Sequence, residues 1–292
     1  MIQKKNSING YLFLSPILIL ITIFLIYPFM RVIHVSFFAT RFGFGKMEFS
    51  GIQNYISLFK DEVFQTSVLN SMIWTVGCLI LQLSIPLGLA LLLNKKFRGG
   101  NIVRSIILIP WIAPVVGVAM MTRWILEPQL GIANKIFVGI GLIHKPVNFL
   151  GSMTNALPTL MVISSWQFIP FGTLLMLAAL QTISPELYDA IKIDGANFWQ
   201  IFRYLIFPLI GSMVGFVFFF GFVWNFNIFA IIWMTTQGGP VNSTMTLPVL
   251  IYKRAFKSFN MGESAAMATI VGFFLIVVGF LFFKYMWKRA DR

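Results

Sequence analysis

The 292-residue chain is 58% hydrophobic and only 11% charged, with a mean hydropathy of +0.84. A water-soluble domain carries about 25% charged residues, so lipid must cover much of this surface. The net charge of +13 comes without a basic stripe or a base-stacking module, which excludes nucleic acid as the partner; cations flanking membrane spans account for it.

Charge-free runs long enough for the roughly 20 residues that cross a bilayer core predict an all-α integral membrane protein with six spans. These fall at about 11–33, 68–93, 105–126, 156–180, 205–232 and 264–286, after a short N-terminal segment, 1–10. The first run follows Lys4 and Lys5 and ends in Tyr27-Pro28-Phe29-Met30-Arg31 without a small-x-small cleavage site, so it reads as a retained span rather than a signal peptide. The second span contains Pro86 and Gly88, the third Pro110, Pro114 and Gly117, and the fourth Pro170 and Gly172. Such breaks are tolerated where neighbouring protein re-satisfies the backbone. They fit either bent helices around a pathway or ordinary packing irregularity.

Lys and Arg set the orientation. Twelve of them, including Lys95, Lys96, Arg98, Arg104, Lys192 and Arg203, lie on the short loops and tails of one side, and ten lie on the longer loops of the other. The rule applies to short loops, which places both termini in the cytoplasm. The single cysteine, Cys78, allows no intramolecular disulfide. His34 and His144 are far apart and no metal-ligand cluster surrounds either, so no metal site is expected.

The nine acidic residues all fall outside the six runs. A proton- or ion-coupled carrier working alone needs an intramembrane carboxylate or a comparable relay. A phosphate-binding G-x-x-x-x-G-K-S/T loop is also missing: Gly43-Phe44-Gly45-Lys46-Met47 ends in Met where a hydroxyl is required. ATP chemistry, if used, belongs to another chain, and no catalytic constellation suggests a membrane enzyme.

The segment 182–203 reads as two short helices around a glycine. Ser184 can cap the first helix, with Pro185 at its first position and Glu186 in its first turn. Gly195 can take the left-handed conformation that ends it, and Asn197 with Gln200 starts the second as a capping box. By local physics alone this is a capped interfacial hairpin.

Pro185, Leu187, Asp189, Ala190, Asp194, Gly195, Ala196, Phe202 and Pro208 also stand where the EAA signature of binding-protein-dependent ABC importer permeases places matching residues. Phe49-Ser50-Gly51-Ile52-Gln53-Asn54-Tyr55, Leu108-Ile109-Pro110-Trp111 and Thr235-Thr236-Gln237-Gly238-Gly239-Pro240 resemble further segments of the carbohydrate-uptake type-1 branch, in its maltose-F or glycerol-3-phosphate-A-like half. The resemblance implies the type I importer permease fold and a coupling helix formed by Glu186, Leu187, Tyr188, Asp189, Ala190, Ile191, Asp194, Gly195, Ala196, Phe198, Trp199 and Arg203. Asp189 replaces the family Glu, and Ile191 replaces an Ala, adding bulk on the face expected to enter the ATPase. The implied partners are a second homologous permease, a dimeric ABC ATPase carrying ATP and Mg, an extracytoplasmic sugar-binding protein and the bilayer of the inner membrane. This chain itself carries no cofactor and no catalytic residue.

Candidates among the polar and aromatic side chains of the apolar runs are Ser164-Ser165-Trp166-Gln167 in the fourth and Trp224-Asn225-Phe226-Asn227 in the fifth. Buried amides need partners, and sugar hydroxyls or neighbouring helices could both serve. The resemblance to maltose-type permeases implies a pathway lined by Trp111, Ser164, Gln167, Phe168, Gly221, Asn225, Asn227 and Ile228. Ile228 and Phe168 replace the Asn and Gly of the maltose type.

Overall fold

A computed structural model describes residues 13–41, 44–95 and 98–290; the predicted N-terminal segment 1–10 lies outside them. Among the described residues five helices are long and apolar enough to cross a bilayer, and a sharply bent pair makes a sixth when taken as one span. In chain order they begin with α1 (Phe13–Ser36), followed by the antiparallel strands β1 (Phe38–Arg41) and β2 (Phe44–Phe49), α2 (Gln53–Lys60) and α3 (Glu62–Leu93). The bent pair is α4 (Gly100–Ile112) and α5 (Val115–Ile125), followed by α6 (Ile132–Gly139) and α7 (Ala156–Gln181). Then come α8 (Pro185–Ile193), α9 (198–226), α10 (Ala230–Thr235), α11 (Leu247–Phe256) and α12 (Met261–Ala290). The β-ribbon adds to the expected all-helical plan.

The third span departs most from expectation. It is not one helix over 105–126 but two helices meeting at 89°. Ala113 and Pro114 are both extended, with ψ of 130° and 131°. Proline pushes the residue before it out of the helical region, so Pro114 breaks the helix at Ala113. The fifth span is also interrupted, at 227–229, rather than continuous to 232.

Elsewhere proline is absorbed. π-helical turns at Thr22–Ile26 and Ile201–Ile206 each lie just before a proline, Pro28 and Pro208. A proline ring clashes with the carbonyl four residues back. Those carbonyls belong to Phe24 and Tyr204, both inside the widened turns, so the π segments give the ring room.

The chain divides into two compact units. The first comprises residues 1–64 and 250–274. Its organiser is Asn54, which donates to the carbonyls of Ser36 (2.8 Å) and Phe38 (3.1 Å), while Tyr55 and Ser36 share a hydroxyl hydrogen bond of 2.6 Å. The motif at 49–55 therefore ties the end of α1 to the ribbon and α2. Here too Arg254 is held between Asp61 and Glu263. Burial alone would lower the guanidinium's pKa, but the two carboxylates keep it raised. Burial likewise pushes Asp61 up, and Arg254 with the backbone N–H groups of Phe64 and Val63 outweighs it, leaving the carboxyl below its usual range.

The second unit comprises residues 65–249 and 275–292. Its core is contributed by α3, α7 and α9: Ala90, Leu93, Met176, Leu177, Leu180, Ile206, Ile210 and Val217 are all buried. Asn70 donates to the carbonyls of Asn242 and Met245, and Ser71 accepts from the Leu247 N–H. These bonds pin the loop 236–246 to the start of α3. Gly172 lies so close to Pro86 that an added Cβ would sit 3.2 Å from its ring, which explains why α7 has a glycine where α3 carries its proline.

Candidate functional site

Two sites emerge, both within the second unit: an exposed hairpin and an aromatic cavity.

The hairpin follows its local chemistry closely. Pro185 opens α8, but the Ser184 side chain does not cap it. Instead the Glu186 carboxyl interacts with its own backbone N–H and then with the Ser184 hydroxyl, which lowers its pKa. At the other end Gly195 has φ +76°, with its N–H donating to Lys192 and that of Ala196 to Ile191. This is the paired hydrogen-bond pattern of a Schellman ending. Asn197 and Gln200 form the reciprocal capping box at 2.7 and 3.0 Å.

Tyr188, Ile201 and Phe202 pack against the core and fix the hairpin to the bundle. Outward it shows Leu187, Ile193, Phe198 and Trp199, with Ile193 86% and Trp199 73% exposed. Glu186, Asp189, Ala190, Asp194, Gly195 and Arg203 are exposed as well. The Asp189–Lys192 pair at 3.6 Å is solvated and contributes little. Ile191, Tyr188 and Ala196 are partly buried, and the exposed stripe runs through Leu187, Ala190 and Ile193. The hairpin thus carries an exposed apolar stripe on a well-capped turn.

The cavity, about 530 Å³, lies between the bend of the third span, α7 and the end of α9. Of the eight pathway residues expected, Trp111, Ser164, Gln167, Phe168 and Ile228 line it. Phe171, Phe220 and Trp224 complete its aromatic wall. Trp111 stacks on Phe171 with centroids 5.4 Å apart, and Phe220 stacks near both Phe168 and Trp224. Gln167 Nε2 donates to the Ala113 carbonyl at 2.9 Å, satisfying a backbone group that the helix break exposes.

The other three expected residues lie elsewhere. Asn225 is 1% exposed and faces Gln82 of α3: its Nδ2 donates to Gln82 Oε1 at 2.7 Å and its Oδ1 accepts from Gln82 Nε2 at 3.3 Å. Asn225 also donates to Gly221 O at 2.7 Å, so interhelical bonding satisfies this amide. Gly221 serves the approach, since an added Cβ would come 3.1 Å from Leu79. Asn227 is exposed and bonds back to Val223 O. Gln82 went unnoticed in the sequence, although a lone glutamine deep in an apolar run was the available signal. Phe171 and Phe220 had no signal, because the chain is rich in phenylalanine.

The second unit thus presents a capped, exposed hairpin and an aromatic cavity on a helical membrane bundle. Residues 84–292 match the family described as binding-protein-dependent transport system inner membrane component, and the chain belongs to this family of ABC transporter permeases. It is 34% identical over 286 residues to a probable ABC transporter permease protein of Brucella suis biovar 1, covering 96% of this chain and 97% of that one. It is 28% identical to the lactose transport system permease protein LacF of Rhizobium radiobacter, covering 100% and 97% of the two chains. The trehalose/maltose transport system permease protein MalF of Thermococcus litoralis is 29% identical over 90% of this chain and 87% of its own. In fold the chain resembles a subunit of a bacterial ABC transporter involved in import of the acidic polysaccharide alginate, with a TM-score of 0.83, 21% identity, and 97% and 96% of the chains covered.

Proposed function

We propose that this permease carries a sugar or small oligosaccharide across the inner membrane by alternating access, driven by a separate ATPase dimer seated on the hairpin 182–203. The observation that carries this reading is the hairpin itself: a rigid element, capped at its turn, anchored through Tyr188 and Phe202, and exposing Leu187, Ile193, Phe198 and Trp199. Closure of the ATPase dimer moves such a handle, and the bundle with it, between inward- and outward-facing states. The saccharide assignment draws on the names of the lactose and trehalose/maltose relatives and on an aromatic cavity with few, uncharged polar groups. In this reading ATP and Mg bind only to the partner, a second homologous permease completes the translocation unit, a binding protein delivers the sugar, and both termini are cytoplasmic.

Gly195→Val tests the coupling. No atom of this chain lies within 4 Å of an added Cβ, so within the permease the substitution acts chiefly through the positive φ, costing about 1–2 kcal/mol of local conformation. ATP-dependent sugar uptake in proteoliposomes of the assembled transporter falls sharply, and the ATPase co-purifies less. Wild-type uptake that persists without any ATPase subunit would instead support an ion-coupled carrier.

A further inference from the structure

We infer that the aromatic cavity selects an uncharged, hydroxyl-rich sugar over its anionic counterpart. This rests on the sugar-permease reading above and adds the charge class of the substrate. The fold does not decide that class, since the structural relative named above is an importer of an acidic polysaccharide.

Three features of the lining act together. First, among the described residues this chain contributes no Lys, Arg, His, Asp or Glu to the lining. A carboxylate or phosphate drawn into it would lose hydration without gaining a cation from this lining. Second, five of the lining side chains are aromatic. Aromatic faces carry the negative lobe of the ring quadrupole, so they accept the C–H faces of a pyranose and repel an anion. Third, the polar groups are neutral and matched to hydroxyls. The Ala113 carbonyl can only accept, which orients the Gln167 carboxamide with its NH₂ end toward the helix break. Gln167 Oε1 is thereby left as an acceptor without a protein partner among the described residues. A sugar hydroxyl donates to it; a carboxylate cannot. Ser164 lines the same cavity with a hydroxyl that can both donate and accept.

The test uses the assembled transporter in nanodiscs without its binding protein, titrated with neutral disaccharides (maltose, trehalose, lactose, cellobiose) and with their C6-oxidised uronic-acid counterparts. Uptake of the same panel is measured in proteoliposomes with the binding protein present. Neutral sugars are expected to bind at least about tenfold more tightly than the matched uronides, and Ile228→Lys, which places a cation in the lining, narrows that gap by strengthening uronide binding. The wild-type comparison stands on its own where the variant fails to assemble. Equal or tighter uronide binding by the wild type overturns the inference, as does uptake of sugars with no binding at the permease; both leave the sugar-permease reading intact. Uptake of no saccharide at all sinks that reading first.

Discussion

Replacing Gln82 by Leu removes one half of a buried amide pair that joins α3 to α9. Gln82 and Asn225 are each 1% exposed and exchange bonds of 2.7 and 3.3 Å. Interhelical hydrogen bonds within membranes average about 0.6 kcal/mol, with a maximum near 1.7. The larger effect is the group left behind. In Gln82→Leu the Asn225 Nδ2 still reaches Gly221 O, but its Oδ1 is stranded, at about 1–3 kcal/mol. Asn225→Leu strands both ends of Gln82 and costs more. The double Leu variant strands nothing and is expected within about 1 kcal/mol of wild type, because replacing both partners by apolar groups is nearly neutral. Unfolding titrations in detergent on wild type, both single variants and the double variant give the coupling energy directly. If the single effects add to the double within about 0.5 kcal/mol, the pair is not coupled and the reasoning fails.

Two further predictions concern the first unit. The Asp61 pKa is lowered in the folded protein, so its stabilising contribution is present above the unfolded carboxylate value, near 4, and is lost as the pH falls through the lower folded value. Thermal stability of the wild type therefore declines in acid below about pH 4, and Asp61→Asn, already weakened at neutral pH, shows a shallower decline. Gly262→Ala places a Cβ 2.2 Å from the Phe38 carbonyl and 3.0 Å from Asn54 Nδ2. It should cost more than about 2 kcal/mol and make the segment 44–60 newly sensitive to limited proteolysis, while Gly88→Ala, whose added Cβ meets nothing within 4 Å, leaves the digestion pattern unchanged.

The features legible in the sequence are those set by interactions within a few residues. Run length pointed to six crossings because a bilayer demands about 20 apolar residues whatever the topology. The hairpin ending at Gly195 and the box between Asn197 and Gln200 close hydrogen bonds across three to five positions, so residue identity alone was enough. The Ser184 side-chain cap does not form, and the hydroxyl instead meets the Glu186 carboxyl two residues away. Pro114 announced a break in the third span but not its 89° angle, which depends on what receives the freed carbonyl: Gln167, 54 positions later. Asn225 finds Gln82 across 143 residues, and Arg254 finds Asp61 across 193. A lone amide in an apolar run is bound to be satisfied, yet sugar and helix are equally good partners by chemistry. Composition and local pattern thus determined a capped, six-crossing membrane protein. Only packing decided that Asn225 locks two helices together while Trp111, Ser164, Gln167, Phe168 and Ile228 meet around a cavity, because which distant groups become neighbours is set by helix approach at sites such as Gly221 and Gly172 and not by the residues themselves.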